Sequence, residues 1–320
     1  MGQLVSVILI TWNSAPYLRR CLEGIGQQTH ADLELIAVDN ASSDGSAELL
    51  APHVTHLIRN DTNRGFAAGA NQGIAAARGE FVLLVNPDCY LLPDYAAKLV
   101  AAFAEAGPRY GSATGMLVRA RGHEIEPLPH VDSMGIRMTR TGRHLDLEQG
   151  ATGKEVTERF EVFGVSGAAA MYRMTFLRAA AIEGQIFDED FFAYREDADL
   201  SWRGRLFGWR AFCEPRAVAY HVRRVTPQAR RELPASINMH SVKNRFLLRL
   251  KNEGRYLALR NLPFELTRDL IVLLASLTIE WSSLPAFPWL WRNRARVLAK
   301  RHEIQRRRKV SDRELARWFG

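Results

Sequence analysis

Cysteine is scarce. Cys21, Cys89 and Cys213 are scattered through 320 residues and form no CxxC pair, so neither a zinc site nor a disulfide framework is indicated, and a reducing compartment is permitted. No basic n-region precedes the apolar run at residues 5–10, which leads straight into Thr11-Trp12-Asn13 and reads as a buried first strand, not a signal peptide. The apolar tail at residues 262–291 is interrupted by Glu265, Arg268, Asp269, Glu280, Pro285 and Pro288. Its uncharged runs fall short of the ~20 residues that span a bilayer. No G-x-G-x-x-G follows the first strand, and neither G-x-x-x-x-G-K-[ST] nor G-x-S-x-G occurs. Those absences argue against a nicotinamide cofactor, P-loop chemistry and α/β-hydrolase chemistry.

What is present is ordinary in amount and uneven in place. Hydrophobic residues make up 47% and charged residues 24%, enough for a large core in one or two domains. The net charge of +8 is concentrated in residues 241–320, where 18 Lys and Arg face 7 Asp and Glu; the first 240 residues are net −3. Such a basic block suits anionic headgroups or nucleic acid, or is a solvated helix face.

Apolar runs at 4–11, 33–39, 54–59 and 81–85 read as strands. Helical patterns at 15–28, 44–51 and 65–78 separate them, residues 42–44 offering side-chain caps for the second. Gly69, Ala70 and Gly73 give the third helix a thin face. Strand–helix alternation implies a mostly parallel sheet covered on both faces. A helix to residue 106 and a strand at 111–118 follow. Residues 119–160 form a polar excursion with room for one hairpin. Then come a small-residue strand at 163–172, a helix at 195–207, short strands at 209–213 and 217–221, and an amphipathic helix at 235–251.

The strand ends carry Thr11-Trp12-Asn13, Asp39-Asn40, Arg59-Asn60 and Asn86-Pro87-Asp88. In an open parallel sheet these share the edge where ligands bind. Asp39 can accept the imino hydrogen of a pyrimidine, Arg64 can serve base or phosphate, and Asp88 can hold a divalent cation against a diphosphate. Alone, each is more often a turn or cap residue; together they describe a nucleotide-diphosphate site. His221, after an AVAY strand, is either a structural histidine or a further metal ligand. In DEDFFAYREDADL, residues 188–200, Glu196 and Asp197 open a helix, where simple dipole complementation is the plain reading. Asp197 is also placed to act as the single base that takes a proton from an attacking hydroxyl. Phe191 and Phe192 can supply an apolar wall or belong to the core. Asp199 and Arg203 are an i, i+4 structural pair.

Taken together, VSVILITWN, AVDNASSDGS, NRGFAAGANQG, FVLLVNPD and FFAYREDADLSWR resemble the family 2 inverting glycosyltransferases of the GT-A fold, in particular a bacterial rhamnosyltransferase-like branch. The resemblance covers about residues 4–225. It implies an α/β, Rossmann-like, mostly parallel sheet flanked by helices. The glycosyltransferase domain would be 1–230, with a donor half to about 118 and an acceptor half from 119, followed by a helical, amphipathic, basic extension at 231–320. The resemblance implies nucleotide-sugar contacts at Thr11, Asn13, Asp39, Arg64, Asn86, Asp88 and Gly167, the last within a small-residue segment beside the donor sugar. It further implies Mg²⁺ or Mn²⁺ at Asp88, supplemented by His221, and catalysis at Asp197 with Glu196. Asn86 stands where the family commonly has a first Asp, which thins the metal site.

The expected reaction moves L-rhamnose from its dTDP form onto a lipid-linked or polysaccharide acceptor in cell-surface glycan synthesis. A UDP-hexose or UDP-galactofuranose transferase is the alternative, and a non-enzymatic basic binder a third. No nucleic-acid partner is expected. Trp281, Trp289 and Trp291 with the following basic residues suggest an interfacial segment on the cytoplasmic face of the inner membrane. A core helix with a solvated basic helix, or a homodimer contact, fits the same residues.

Overall fold

The computed structural model describes residues 3–121, 124–125, 130–152, 156–223 and 235–320. Strands β1 (Val5–Thr11), β2 (Leu33–Asp39), β3 (His56–Arg59) and β4 (Phe81–Val85) alternate with helices α1 (Ala15–Gly26), α2 (Ser46–Leu50) and α3 (Gly65–Ala76). β5 (Cys89–Leu91), α4 (Tyr95–Ala106) and the long β6 (Tyr110–Arg121) follow. The polar excursion holds short strands β7 (Glu124–Ile125), β8 (Val131–Ser133), β9 (Ile136–Met138) and β10 (His144–Asp146); the last two pair as the expected hairpin.

β11 (Phe160–Val162), β12 (Ala169–Arg173), α5 (Met174–Ala180), α6 (Glu196–Leu206) and β13 (Arg210–His221) complete the sheet and its cover. The strand expected at 163–172 is shorter, β12 at Ala169–Arg173, and a separate short strand, β11, precedes the expected range. The two expected at 209–221 are one. Glu214-Pro215-Arg216 reads as a break, but β13 keeps its pairing to β6 across a register irregularity between Glu214 and Val218.

The sheet order is β11-β13-β6-β12-β4-β1-β2-β3. β1 is parallel to both β2 and β4, with Thr11 level with Asp39 and Leu9 level with Val85. β12 runs antiparallel between β4 and β6. The chain moves outward from β1 through β2 to β3, then returns to β4 on the other side. The crevice between the carboxyl ends of β1 and β4 is therefore the switch point, where doubly wound sheets bind ligands.

β1 is buried along its whole length, as a central parallel strand must be. Val5, Val7 and Leu9 pack with α1 and α4 on one face, while Ile8 and Ile10 pack with α3 and α5 on the other. The thin face of α3 is real: a Cβ on Gly73 would sit 2.5 Å from Ile8 Cγ2, and one on Gly69 2.9 Å from Ile10 Cγ2. Glycine there lets the helix, and the turn before it, lie close over β1.

The C-terminal helices are α7 (Ala235–Asn252), α8 (Arg255–Thr278), α9 (Ala286–Arg292), α10 (Arg294–Arg307) and α11 (Asp312–Leu315). They share a third core with α6: Trp202 and Leu206 pack among Leu247, Leu257, Val297, Ile304 and Phe319.

Candidate active site

Of the expected donor residues, Thr11, Asn13, Asp39, Asn86 and Asp88 lie along the carboxyl edge of β1, β2 and β4, Arg64 on the turn into α3, and Gly167 just before β12. Thr11 Oγ1 donates to Asp39 Oδ1 at 2.9 Å, and the Ser42 amide donates to Asp39 Oδ2 at 3.0 Å. Asp39 is thus buried and already ties two loops together; a base would use its remaining lone pairs. Asn13 adopts φ 47° and accepts the Ser43 amide at 2.9 Å, fixing the loop after β1 against the loop after β2. Asp44, expected to cap α2, caps two helices: Oδ1 accepts from the Ser46 amide and Oδ2 from the Ala15 amide of α1.

Arg64 stands at the start of α3, half exposed, 3.9 Å from Glu189. Gly65 behind it has φ 83°, and a Cβ there would be 2.5 Å from the Phe192 carbonyl oxygen. Ala67 donates its amide to that same oxygen at 3.1 Å. The donor-side turn and the segment leading into α6 are therefore in backbone contact.

Asn86 and Asp88 end β4. The Asn86 amide donates to Ala168 O at 2.8 Å, and the neighbouring Gly167 amide donates to Asp197 Oδ2 at 3.0 Å. Gly167 is the link that brings Asp197 beside the Asn86-Pro87-Asp88 corner. Asp197 is partly exposed at the second position of α6, its Oδ1 accepting from the Ala198 amide at 2.7 Å. Burial raises its pKa against the two amide bonds, with Asp146 adding to the rise. Glu196 differs: it is 7% exposed, its Oε2 has no partner among the described residues, and burial followed by the Asp197 charge pushes its pKa far up. Its carboxyl is turned inward, and Asp197 is the one presented at the crevice.

His221 Nε2 lies 3.6 Å from Asp88 Oδ1, and its Nδ1 lies 2.7 Å from Asp132 Oδ2. Burial lowers the imidazole pKa, but its hydrogen bonds to the Asp132 and Asp88 carboxylates, and their charges, outweigh it and take the value up to about 9. Asp132 also accepts from Arg223 at 2.8 Å. A carboxylate behind the far ring nitrogen is the usual support of a metal-ligating histidine. The carboxylate oxygen suits Mn²⁺ or Mg²⁺, and the imidazole is the softer donor of the pair. No cluster of three or more His, Cys, Asp or Glu able to hold a metal occurs among the described residues, so donor phosphates and water would complete the shell.

The segment ahead of α6 is strained. Phe192, Tyr194 and Arg195 have φ of 66°, 69° and 73°, and such residues persist only when their surroundings hold them. The holder is Asn244 of α7, whose Nδ2 lies 2.9, 2.8 and 2.8 Å from the carbonyl oxygens of Phe191, Ala193 and Tyr194. Phe191 is fully buried, and Phe192 stacks on His240, so the pair is core and packing, not a wall around the base.

Buried charges add to the clamp. Lys251 pairs with Asp188 and, at 3.0 Å, with Asp199; Lys300 pairs with Asp188 at 2.6 Å and Asp190 at 2.9 Å. Although burial works the other way, these lysines hold the Asp188 carboxyl well below the usual range. Asp199–Arg203 is structural, as the spacing implies, at 2.9 Å with both side chains fully buried. Asp132, Asn244, Lys251 and Lys300 lie outside every sequence motif, and only the fold reveals them.

A mostly parallel sheet with this order, flanked by helices and with acidic residues at its switch point, defines the GT-A class of α/β fold. The chain belongs to the glycosyl transferase family 2, whose profile matches residues 6–179. It is 32% identical over 100 residues to the putative glycosyltransferase EpsH of Bacillus subtilis, covering 30% of this chain and 29% of that one. It is 28% identical over 245 residues to the N-acetylglucosaminyl-diphospho-decaprenol L-rhamnosyltransferase of Mycobacterium tuberculosis, covering 69% and 76%. The chain thus spans under a third of EpsH but about three quarters of the second relative. Among solved structures, the mannosyltransferase PcManGT from Pyrobaculum calidifontis, in complex with GDP-Man and Mn²⁺, superposes with TM-score 0.54 at 20% identity over 96% of this chain and 84% of that one. GalNAc-T7 with UDP, GalNAc and Mn²⁺ gives 0.62 at 14% identity over 78% and 48%.

Proposed function

We propose that the protein is an inverting glycosyltransferase that moves a sugar, L-rhamnose from dTDP-L-rhamnose, onto a lipid-linked or polysaccharide acceptor in cell-surface glycan synthesis, working at the cytoplasmic face of the membrane. The observation that carries the reading is Asp197. It is a carboxylate with a raised pKa, oriented by the Gly167 amide, beside the corner formed by Asn86 and Asp88. The rhamnosyltransferase relative, matched over most of both chains, supports the choice of sugar.

In this reading Thr11, Asn13, Asp39 and Arg64 face the nucleoside and its phosphates. Asp88 and His221 would hold Mg²⁺ or Mn²⁺, which when bound would offset the charge of the leaving diphosphate. Asp197 accepts the proton of the acceptor hydroxyl as that oxygen attacks the anomeric carbon. The bond from that carbon to the diphosphate oxygen breaks, and the nucleoside diphosphate leaves with the electron pair. One base and one displacement invert the anomeric centre. Glu196 is turned inward and is not the carboxyl that meets the attacking oxygen.

A screen of dTDP- and UDP-sugars, read by released nucleoside diphosphate, tests the donor; turnover with a UDP-hexose or UDP-galactofuranose and none with dTDP-rhamnose would replace the sugar assignment. Asp197→Asn is expected to bind donor nearly as well as the native protein and to lose turnover. Near-normal turnover in that variant would overturn the base assignment.

A further inference from the structure

The outward face of α8 is built the wrong way round for water. From Leu259 to Ile279 every exposed side chain is apolar except Thr267 and Thr278. Leu259 and Ile279 are 74% and 70% exposed, and Trp281 at the following elbow is 70% exposed. Both threonine hydroxyls are bonded back to the helix's own carbonyls, Thr267 to Pro263 at 2.8 Å and Thr278 to Leu274 at 2.7 Å. Over the same stretch the charged side chains turn inward instead. Glu265 meets Arg249 of α7 at 3.1 Å, Asp269 meets Arg245 at 3.1 Å, and Arg260 donates to Ala316 O at 2.8 Å. A surface helix in water sorts its residues the other way. Withdrawing polar groups from the outer face is what contact with hydrocarbon demands.

We infer that this face of α8, with the Trp281 elbow, docks into the surface of a bilayer that carries anionic lipid. Charge complementarity selects the occupant. Past the elbow the exposed Trp291 is covered by Arg294, whose guanidinium lies 4.3 Å from the ring centroid, and Arg292, Arg306 and Lys309 are exposed beyond. An apolar stripe flanked by aromatic and basic residues is the pattern of an interfacial helix facing acidic headgroups. Among the described residues no single helix is long and apolar enough to cross a membrane; α8 and the segment after it satisfy that test only as a pair bent by 113°. With its other side packed on α7 and α11, α8 lies in the interface and does not span. The inference deepens the acceptor part of the proposed function, since a lipid-linked acceptor is presented at that surface.

Co-sedimentation of the full chain with phosphatidylcholine vesicles, with and without phosphatidylglycerol, tests it. The native protein is expected to pellet with the phosphatidylglycerol vesicles. Leu270→Glu with Leu274→Glu is expected to lower the bound fraction about tenfold or more, because carboxylates replace inserted leucines, with an unchanged melting temperature. Arg292→Glu with Arg294→Glu is expected to weaken only binding to the anionic vesicles. Failure of the native protein to bind vesicles would overturn the inference. So would a dimer in sedimentation equilibrium that the leucine double variant dissociates while vesicle binding persists, which would make a second copy the occupant. Nucleotide-sugar binding, measured separately by calorimetry, keeps the two readings apart: vesicle binding without it fails the proposed function and leaves the docking face standing.

Discussion

Replacing Asn244 puts the clamp on the catalytic segment to a direct test. Its side-chain amide has two hydrogens and lies within 2.9 Å of three carbonyl oxygens, so it supplies two bonds' worth of donation, one hydrogen being shared. Asn244→Ala removes about 0.5–1.5 kcal/mol for each of the two bonds and leaves a buried carbonyl short of a donor at about 1–3 kcal/mol more, roughly 2–6 kcal/mol in all. Strain of about 1–3 kcal/mol at each left-handed residue is then free to relax through Phe192, Tyr194 and Arg195, immediately before Glu196 and Asp197. A displacement of about 1 Å in a catalytic group can cost ~100-fold in rate. The expected result is a folded protein with a lower melting temperature, a kcat reduced roughly 10- to 100-fold, and a donor KM close to native, since Thr11, Asn13 and Asp39 are untouched. Asn244→Asp, the same size but without donors, is expected to be at least as damaging. Nucleoside diphosphate release at saturating donor, paired with thermal denaturation, checks both. A variant that loses stability but keeps native kcat would refute the reasoning, because Asn244 would then support the fold without positioning the base.

Three other outcomes follow from the charges. A base works only when deprotonated, so activity is present above the Asp197 pKa and lost as pH falls through it; because burial raises that pKa, the acid limb of log kcat should lie above the ordinary aspartate range near ~3.9. Asp146→Asn removes a negative charge that raises the same pKa and should move the limb down; an unmoved limb would assign it to another group. Glu253 is pushed up to about 8 by burial and by Glu265, so its contribution to stability is present below the unfolded carboxylate range and lost as pH rises through about 8. Melting temperatures measured across that window should fall in the native protein and flatten in Glu253→Gln. Finally, Asp132→Asn removes the support behind His221, and the Mn²⁺ concentration for half-maximal activity should rise about 10- to 100-fold; an unchanged titration would leave His221 outside the metal site.

The first four strands were readable because their signals are local. β4 is an unbroken apolar run and β1 is interrupted by Ser6 alone before its end, and each is followed by polar residues that name their own position at the sheet edge. α3 announces its closeness to β1 through Gly69 and Gly73, and the two contacts a Cβ would make with Ile10 and Ile8 are the reason. The acceptor side was less readable because its signals are tertiary. Asp132 sits in an aperiodic polar stretch and gains meaning only when β8 meets the end of β13. Glu214-Pro215-Arg216 looks like a turn, yet pairing with β6 carries the strand across it. Phe191 and Phe192 adjoin the base in sequence but turn to the core and to His240.

The basic tail shows the same limit and changes how its role must be tested. An excess of +11 in residues 241–320 against −3 before them reads as a surface looking for an external anion. Part of that charge is already matched inside: Lys251 and Lys300 are buried against Asp188, Asp190 and Asp199, and leaving one side of such a buried pair uncompensated costs about 3–5 kcal/mol. One layer of the tail therefore faces inward to the segment that carries Asp197, while α8 turns its apolar side outward. Deleting the tail would strip both at once, leaving Asp188 and Asp190 without their lysines and Asp199 with its Arg203 pair alone, and removing Asn244. Loss of activity in a truncated chain would then say nothing about membranes. Only substitutions confined to the outward face of α8, which touch none of the inward pairs, separate where the enzyme sits from whether its base is held.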